Sequence, residues 1–412
     1  MLEKKAALGS CATRMAFTGP NARNVSADTT EEMAPLFAAV LHGCAAGRHQ
    51  EAVKEVYRRR IQRGEERYGR KKLGAIGADL GTLAGLFEVP WRRPVAALSE
   101  ADQAFILNQA GLDLRLLGRL AEAVEPMRAG LEAAKHLEEW WNAAQAAENL
   151  SGLYVALGQI DAAIDAAKQS IDFADRSGDA FRRLCGRTAQ ADALCQARRV
   201  PEAESLFQEA ERMQSDRQPE YPLLYSMRGY RYCDLLLGRG DHQGVIKRAT
   251  QSLEWATRQG WLLDIAVDHL SLGRARLLAA RAEGTDAYKK AWAHIDLAVD
   301  GLRNAGTLHN LPVGLLARAE LYLFTGDHAE ARAALNEALD IATRDPQGHM
   351  KLHVTDCRLG YARLALAEKK PDVARRELAK ARTLIKETGY HRRDAELTEL
   401  EGRARGPAEL GT

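Results

Sequence analysis

The sequence predicts an all-α solenoid, a stack of helical hairpins in which each unit buries its apolar face against its neighbours. Two observations carry that expectation. A short phrase recurs along the chain: Leu-Gly-Arg-Leu-Ala-Glu-Ala at 117–123, Leu-Gly-Gln-Ile-Asp-Ala-Ala at 157–163, Arg-Arg-Val-Pro-Glu-Ala at 198–203 and Gly-Asp-His-Ala-Glu-Ala at 326–331. The first two copies begin at Leu117 and Leu157, and Arg198 follows Gly158 at that same spacing. A fixed period of about 40 residues marks a repeat architecture. Almost every segment is also rich in Ala, Leu, Glu and Arg, lacks β-branched runs, and spaces its apolar residues at three and four.

The elements follow in order. Residues 1–29 are expected to be a flexible N-terminal segment, 30–402 the array, and 403–412 a polar, frayed tail. Thr30-Glu-Glu puts acids in a first helical turn, where the helix dipole favours them. One extra helix is expected near 71–87. It leads into an irregular crossing over about 88–98, where Glu88-Val-Pro-Trp-Arg-Arg-Pro94 carries two prolines that enforce extended backbone. Ser99-Glu-Ala-Asp102 has the spacing of a capping box. Within 147–157, Leu150, Leu153, Tyr154 and Leu157 form one stripe, and Ala163, Ile164, Ala167, Ile171 and Ala174 repeat it over 162–174. Gly158 stops the first of these helices and Asp161 helps to start the second. The longer breaks are equally regular, with Gly178, Gly260, Gly306 and Gly389 each following a helix where a left-handed residue is needed. A lengthened turn is expected near 281–286, where one interval exceeds the period.

Composition narrows the function. The chain has 412 residues, 28% of them charged, and a net charge of only +2, so nothing predicts a strongly basic face for nucleic acid. No apolar stretch is long enough to span a membrane, and the N-terminus, with Glu3 and no long apolar core, makes a poor signal peptide. Six cysteines, Cys11, Cys44, Cys185, Cys195, Cys233 and Cys357, are scattered and never form Cys-x-x-Cys. Scattered, reduced thiols predict a cytoplasmic protein. His349, His353 and Cys357 are spaced to fall on one helix face, but the outer two would lie about 12 Å apart, too far to share an ion. His349 and His353 lack the Glu of His-Glu-x-x-His, and no Gly-x-Ser-x-Gly or dinucleotide-binding glycine pattern occurs. Neither a cofactor, a metal nor an enzyme is expected.

The repeated residues resemble the tetratricopeptide repeat family. Around Gly326 the matching residues are Leu315, Ala319, Tyr322, Gly326, Ala331, Leu335 and Ala338; around Gly158 they are Leu150, Ser151, Tyr154, Gly158, Ala163 and Ala167. A last unit offers Tyr361, Ala362, Ala374, Leu378 and Ala381, with Ala365 where a Tyr-like residue belongs. The resemblance implies a right-handed superhelical solenoid of about eight hairpins, with helices longer than the family's common period of about 34 gives. Phrases such as Asn149-Leu-Ser-Gly-Leu-Tyr and Tyr221-Pro-Leu-Leu-Tyr-Ser-Met-Arg-Gly-Tyr-Arg-Tyr-Cys-Asp234 also resemble the C-terminal sensor arrays of bacterial signal-transducing (STAND, maltose-regulator-type) NTPases. That likeness implies a ligand-controlled switch, yet the chain lacks Gly-x-x-x-x-Gly-Lys-Ser/Thr and so any phosphate-cradling loop of its own.

The resemblance also implies that the first helix of each pair lines a concave groove. Counting from the hairpin glycines places Asn108, Glu148 or Asn149, Thr188 and Tyr230 on that wall, Asp192 and Asp234 one turn later, and Arg274 and Arg363 further along. Asn and Asp are poor mid-helix residues, so a row of them predicts a polar groove for a peptide or small ligand, against the simpler reading of a wet groove. Tyr225 and Tyr230 belong to a tyrosine-rich segment suited to recognition, with inter-helix packing the alternative. Arg183 and Arg187, with Arg182, sit early in a helix and would reach an anionic group, or else pair with Asp175 or Asp179. Trp140-Trp141 reads as a buried pair between repeats. The expected function is a non-enzymatic sensor holding a protein, peptide or small ligand, with any NTPase or effector encoded separately and no direct contact with nucleic acid or membrane. The alternative is a constitutive protein–protein scaffold.

Overall fold

The structure, a computed structural model, describes residues 28–283 and 288–405. The N-terminal segment to residue 27, half of the expected long turn (284–286), and the tail beyond residue 405 lie outside the described residues.

The first helix, α1 (Thr30–Ala45), opens on a capping box: the Glu32 amide donates to Thr29 Oγ1 and the Thr29 amide to Glu32, each at 3.2 Å. It packs on α2 (His49–Glu51), which continues as a π-helical stretch over Ala52–Ile61. Where the sequence predicts one helix near 71–87, two short ones stand, α3 (Tyr68–Lys71) and α4 (Ile76–Ala84). Gly74 causes the break. Its φ is +62°, and a Cβ there would lie 2.4 Å from the Asn304 carbonyl oxygen. The proline-bearing crossing folds as a two-stranded antiparallel ribbon, β1 (Phe87–Val89) against β2 (Arg93–Pro94), pairing Phe87 with Pro94 and Val89 with Arg93.

Hairpins then succeed one another. They pair α5 (Glu100–Leu116) with α6 (Leu120–His136), α7 (Trp140–Leu157) with α8 (Ile160–Ser177), and α9 (Ala180–Gln196) with α10 (Val200–Arg217). Next come α11 (Ser226–Gly238) with α12 (His242–Gln259), and α13 (Leu262–Glu283) with α14 (Tyr288–Asn304). The last pairs are α15 (Leu311–Thr325) with α16 (His328–Thr343) and α17 (Lys351–Ala367) with α18 (Pro371–Thr388), closed by α19 (Asp394–Arg405). Together with α1 and its π-helical partner this is the expected all-α solenoid. Part of the surplus length near residue 281 is helix, since α13 runs for 22 residues.

The two helices of a pair differ in a way their sequences explain. Second helices keep apolar residues to one stripe, as with Ile160, Ala163, Ile164, Ala167 and Ala174 of α8, and leave the other face to water. First helices are enclosed on almost every side. In α5 the buried run from Ile106 to Leu114 is unbroken and includes Asn108, Gln109 and Asp113. The turn inside the second hairpin is a left-handed residue at Gly158, φ +73°, as the sequence predicts. Where the corresponding position is not glycine the chain still adopts that conformation, at Arg198 (φ 64°) and Lys369 (φ 58°).

The superhelix winds until its own turns meet. The His309 amide donates to the Leu116 carbonyl at 3.1 Å, and the Ala121 amide to Asp345 at 2.9 Å. Gly158 lies so close to α17 and α18 that a Cβ there would stand 2.5 Å from Thr388 Cγ2. One apolar core accordingly takes in residues from Met33 to Tyr390. The open groove expected from the sequence is instead a largely enclosed interior, because small residues at these crossings let distant repeats touch.

Candidate functional site: the charged interior of the superhelix

The inner faces of the first helices carry acids and arginines that join across consecutive repeats. Glu148 of α7 pairs with Arg182 of α9 at 3.3 Å, Asp192 of α9 with Arg231 of α11 at 3.0 Å, and Asp234 of α11 with Arg274 of α13 at 2.8 Å. Arg281 continues the ladder to Glu320 at 2.6 Å, and Arg363 pairs with Glu396. Asp234 has a second partner from far along the chain: Arg392 pairs with its carboxylate and donates to its main-chain oxygen at 2.9 Å. Burial opposes ionisation of Asp234, but Arg392 and Arg274 outweigh it and hold the carboxyl well below the usual carboxylate range. Glu320 behaves alike: burial is overcome by Arg281 and Arg363, and its pKa is lowered to about 2.

Two regions of this interior are hollow. A cavity of about 490 Å³ lies where α9, α11, α13, α15, α17 and α19 converge, lined by Arg274, Arg281, Glu320, Asp356, Arg363 and Arg393 among others. At the other end a chamber of about 200 Å³ and a neighbour of about 650 Å³ share Lys71, Glu148, Asn149, Ser226 and Arg228 in their walls.

The residues singled out from the sequence divide among these places. Arg274 lines the 490 Å³ cavity, with Asp234 directly behind it. Asn149 and Tyr225 line the paired chambers, and Asn149 donates to buried Asn108 at 3.2 Å. Asp192 is engaged by Arg231 and by Gln196, the latter at 2.9 Å. Thr188 is fully buried and donates to the Cys185 carbonyl at 2.8 Å. Arg183 pairs with Asp175 at 2.6 Å, the simpler of the two roles the sequence allows, while Arg187 pairs with Glu209 at 2.6 Å, a partner not expected from the sequence. Tyr230 is half-buried, packed against the apolar core between α11 and α13. The structure gathers Asn149 and Tyr225 at one end and Asp234 and Arg274 at the other. It leaves Arg183 and Arg187 on the α8–α10 side of their repeat.

Some local expectations need correction. Tyr225 precedes α11 as its capping residue, outside the helix that carries Tyr230, and stacks on Trp261, ring centroids 6.2 Å apart. His349 lies before α17 and is exposed, so it is not aligned with His353, which is half-buried, and Cys357, which is buried. Ser99 caps α5 by accepting from the Asp102 amide, but Asp102 turns to Arg58 and Gln50 rather than completing the box. Trp140 and Trp141 are half-buried, and each lies beneath an arginine, Arg176 and Arg182.

Sequence reasoning missed Arg115, Arg228, Arg231, Arg392 and Arg393. Arg231 was within reach, since it follows Asp192 at nearly the spacing by which Arg274 follows Asp234, a repeat length in each case. The ruler that located the repeats also pairs their charges. Arg392 and Arg393 carried no such signal, because their contacts come from closure of the superhelix.

Residues 314–345, covering most of α15 and α16, match the tetratricopeptide repeat family. That unit is one helical hairpin of the array. Its Leu315, Ala319, Ala331, Leu335 and Ala338 are all buried where the two helices of the hairpin meet their neighbours. No curated protein matches the sequence. Among solved structures, the chain is similar to a Rap protein complexed with Competence and Sporulation Factor, at 12% identity and a TM-score of 0.39, over 97% of this chain and 91% of that one. Among the described residues no group of three or more His, Cys, Asp or Glu is placed to hold a metal ion, and no helix is long and apolar enough to cross a membrane.

Proposed function

We propose that the protein acts by binding alone, as a sensor that encloses a small polar ligand or the end of a peptide within its superhelix and serves bacterial signalling or regulation. The observation that carries this reading is the cavity of about 490 Å³ where helices of several repeats meet. Its size is that of an ordinary ligand site, and its wall is built from separate repeats. A molecule that draws Arg274, Arg363 and Arg393 together changes how α13, α17 and the turn before α19 sit, and hence the pitch of the array. Binding and shape are thereby linked, which is what a population-shift sensor requires. The arginine forks favour a ligand with carboxylate or phosphate groups.

One observation favours the constitutive scaffold instead. The contacts of Asp234 with Arg392 and of Asp345 with Ala121 tie distant turns together without any ligand. A single experiment separates the two. Thermal melting of the whole chain is screened against small polar metabolites and short peptides, with the radius of gyration measured by X-ray scattering for any that stabilise. A ligand that raises the melting temperature, alters the radius and loses its effect in Arg363→Gln supports the sensor. Indifference to every ligand, with capture of a protein on the outer face, overturns it in favour of the scaffold.

A further inference from the structure

The smaller chamber, at the opposite end of the interior from the cavity above, holds three cations that have no ion-pair partner among the described residues. Arg115 of α5 points across it. One Nη donates to the Asn149 main-chain oxygen at 3.0 Å, and its Nε is buried with no acceptor. Arg228 of α11 has only weak partners, the Cys185 sulfur at 3.7 Å and the rings of Phe181 and Tyr225. Lys71 of α3 lies 5.1 Å from the centroid of the Trp261 ring. None of the three has a carboxylate within ion-pair distance among the described residues, and all three line the same chamber of about 200 Å³. Aromatic faces attract cations but supply no countercharge.

The acids nearby are already engaged or weakened. Glu148 is held by Arg182 at 3.3 Å. Asp264 accepts from Ser226 at 2.7 Å, and burial raises its pKa, toward the neutral form. The cost of the surplus charge shows on two of the three: burial, with Arg231 behind it, pushes Arg115 down to about 10, and burial lowers Lys71 as well, whereas at Arg228 burial is outweighed by Cys185 and Glu148 and the pKa is raised. The arrangement is nevertheless built. A Cβ on Gly152 of α7 would stand 2.6 Å from Arg115 Nη1, so the bare glycine is what lets this guanidinium lie along the neighbouring helix.

We propose that this chamber is an oxyanion site that takes the phosphoryl group of a small phosphate ester. The charge count selects phosphate over carboxylate. Three cations facing at most one uncommitted acid call for about two negative charges, which a phosphate monoester carries near neutral pH and a carboxylate does not. Guanidinium forks match its oxygens in pairs. The chamber is too small for more than the charged group and a little of its ester, and the adjoining 650 Å³ space, walled by Trp141, Phe181 and Tyr225, receives the organic part.

The test uses the full chain with three probes, inorganic phosphate, phenyl phosphate and benzoate, followed by thermal melting and calorimetric titration. Phenyl phosphate raises the melting temperature most, inorganic phosphate less and benzoate least. Arg115→Gln weakens phenyl phosphate by about tenfold to a hundredfold, the range for a lost charge-assisted hydrogen bond, yet the ligand-free variant melts no lower than the wild type because an uncompensated cation has gone. Gly152→Ala keeps the charge but displaces the guanidinium, and weakens the same probe. Lys168→Gln, an exposed charge of α8 far from either cavity, leaves the response unchanged. The proposal is overturned if the wild type ignores both phosphates, or if Arg115→Gln and Arg228→Gln both respond as the wild type does. It is also overturned if Arg115→Gln melts lower while keeping its response. Equal affinity for inorganic and phenyl phosphate overturns the ester in favour of free phosphate.

Discussion

Asp234→Asn removes a buried carboxylate that two arginines share. Arg274 reaches it from the next repeat at 2.8 Å and Arg392 from 158 residues along the chain, with side-chain exposures of 17% for Asp234, 21% for Arg274 and 15% for Arg392. Deleting one partner of a buried pair costs about 3–5 kcal/mol, because the remaining charge stays buried without compensation. With this much residual exposure the lower end applies, about 3 kcal/mol. Arg392→Gln is milder. Asp234 keeps Arg274, and the loss is one bridge and one bond to the Asp234 main chain, about 1–1.5 kcal/mol. Urea denaturation followed by circular dichroism reads both values. The sign with pH is fixed as well. Asp234 has its pKa depressed in the folded state, so its contribution is complete above the unfolded value of about 3.9 and is lost as pH falls through the folded one. The gap between wild type and Asp234→Asn is therefore widest near neutral pH and narrows in acid. Equal losses for the two substitutions, or an Asp234→Asn variant within about 0.5 kcal/mol of wild type, would refute the shared-carboxylate account.

Two further outcomes test other parts of the fold. His309 and His353 face each other with ring centroids 6.3 Å apart, and burial holds both below the ordinary histidine pKa. The unfolded chain therefore takes up protons first, and stability falls as pH drops below about 6.5, by up to ~1.4 kcal/mol per pH unit for each histidine. His309→Gln flattens this slope in urea melts taken across pH, whereas stability that grows on acidification contradicts the assignment. Lys369 is exposed in a left-handed turn at φ 58°. Lys369→Gly relieves that conformation and stabilises by about 1 kcal/mol; a lower urea midpoint would show that the turn carries no strain.

Much of the fold was legible because a solenoid is built from local rules. Gly158 and Gly178 fall where a helix must reverse, and the alanines at 163, 167, 331 and 338 mark crossings, all within a single unit of sequence. The candidate site was legible only in part. Asn149, Asp234 and Arg274 could be placed on the inner wall by counting from those glycines. Nothing in one repeat, however, says that Arg392 returns to Asp234, or that Thr388 comes to rest against Gly158. Those meetings depend on the accumulated twist of several hairpins, to which each inter-helix angle contributes a little. The split of the expected helix near 71–87 has the same origin, since Gly74 is shaped to fit Asn304, which lies several repeats further along the chain.

The contacts that close the superhelix also bear on how the chain folds. An open repeat array is linked only to its nearest neighbours, so its ends can melt while its middle persists and nucleation can begin in any unit. Bonds from Leu116 to His309, from Ala121 to Asp345 and from Asp234 to Arg392 change that connectivity. Even the shortest of these, between Asp234 and Arg392, closes a loop of 158 residues. Such loops must close before the bonds form, which slows the final step relative to a purely local helical protein. Once formed, they make the first and last hairpins depend on each other. Loss of α19 and the turn before it would be felt in α11, half the array away, and unfolding would proceed as one event rather than as fraying from an end.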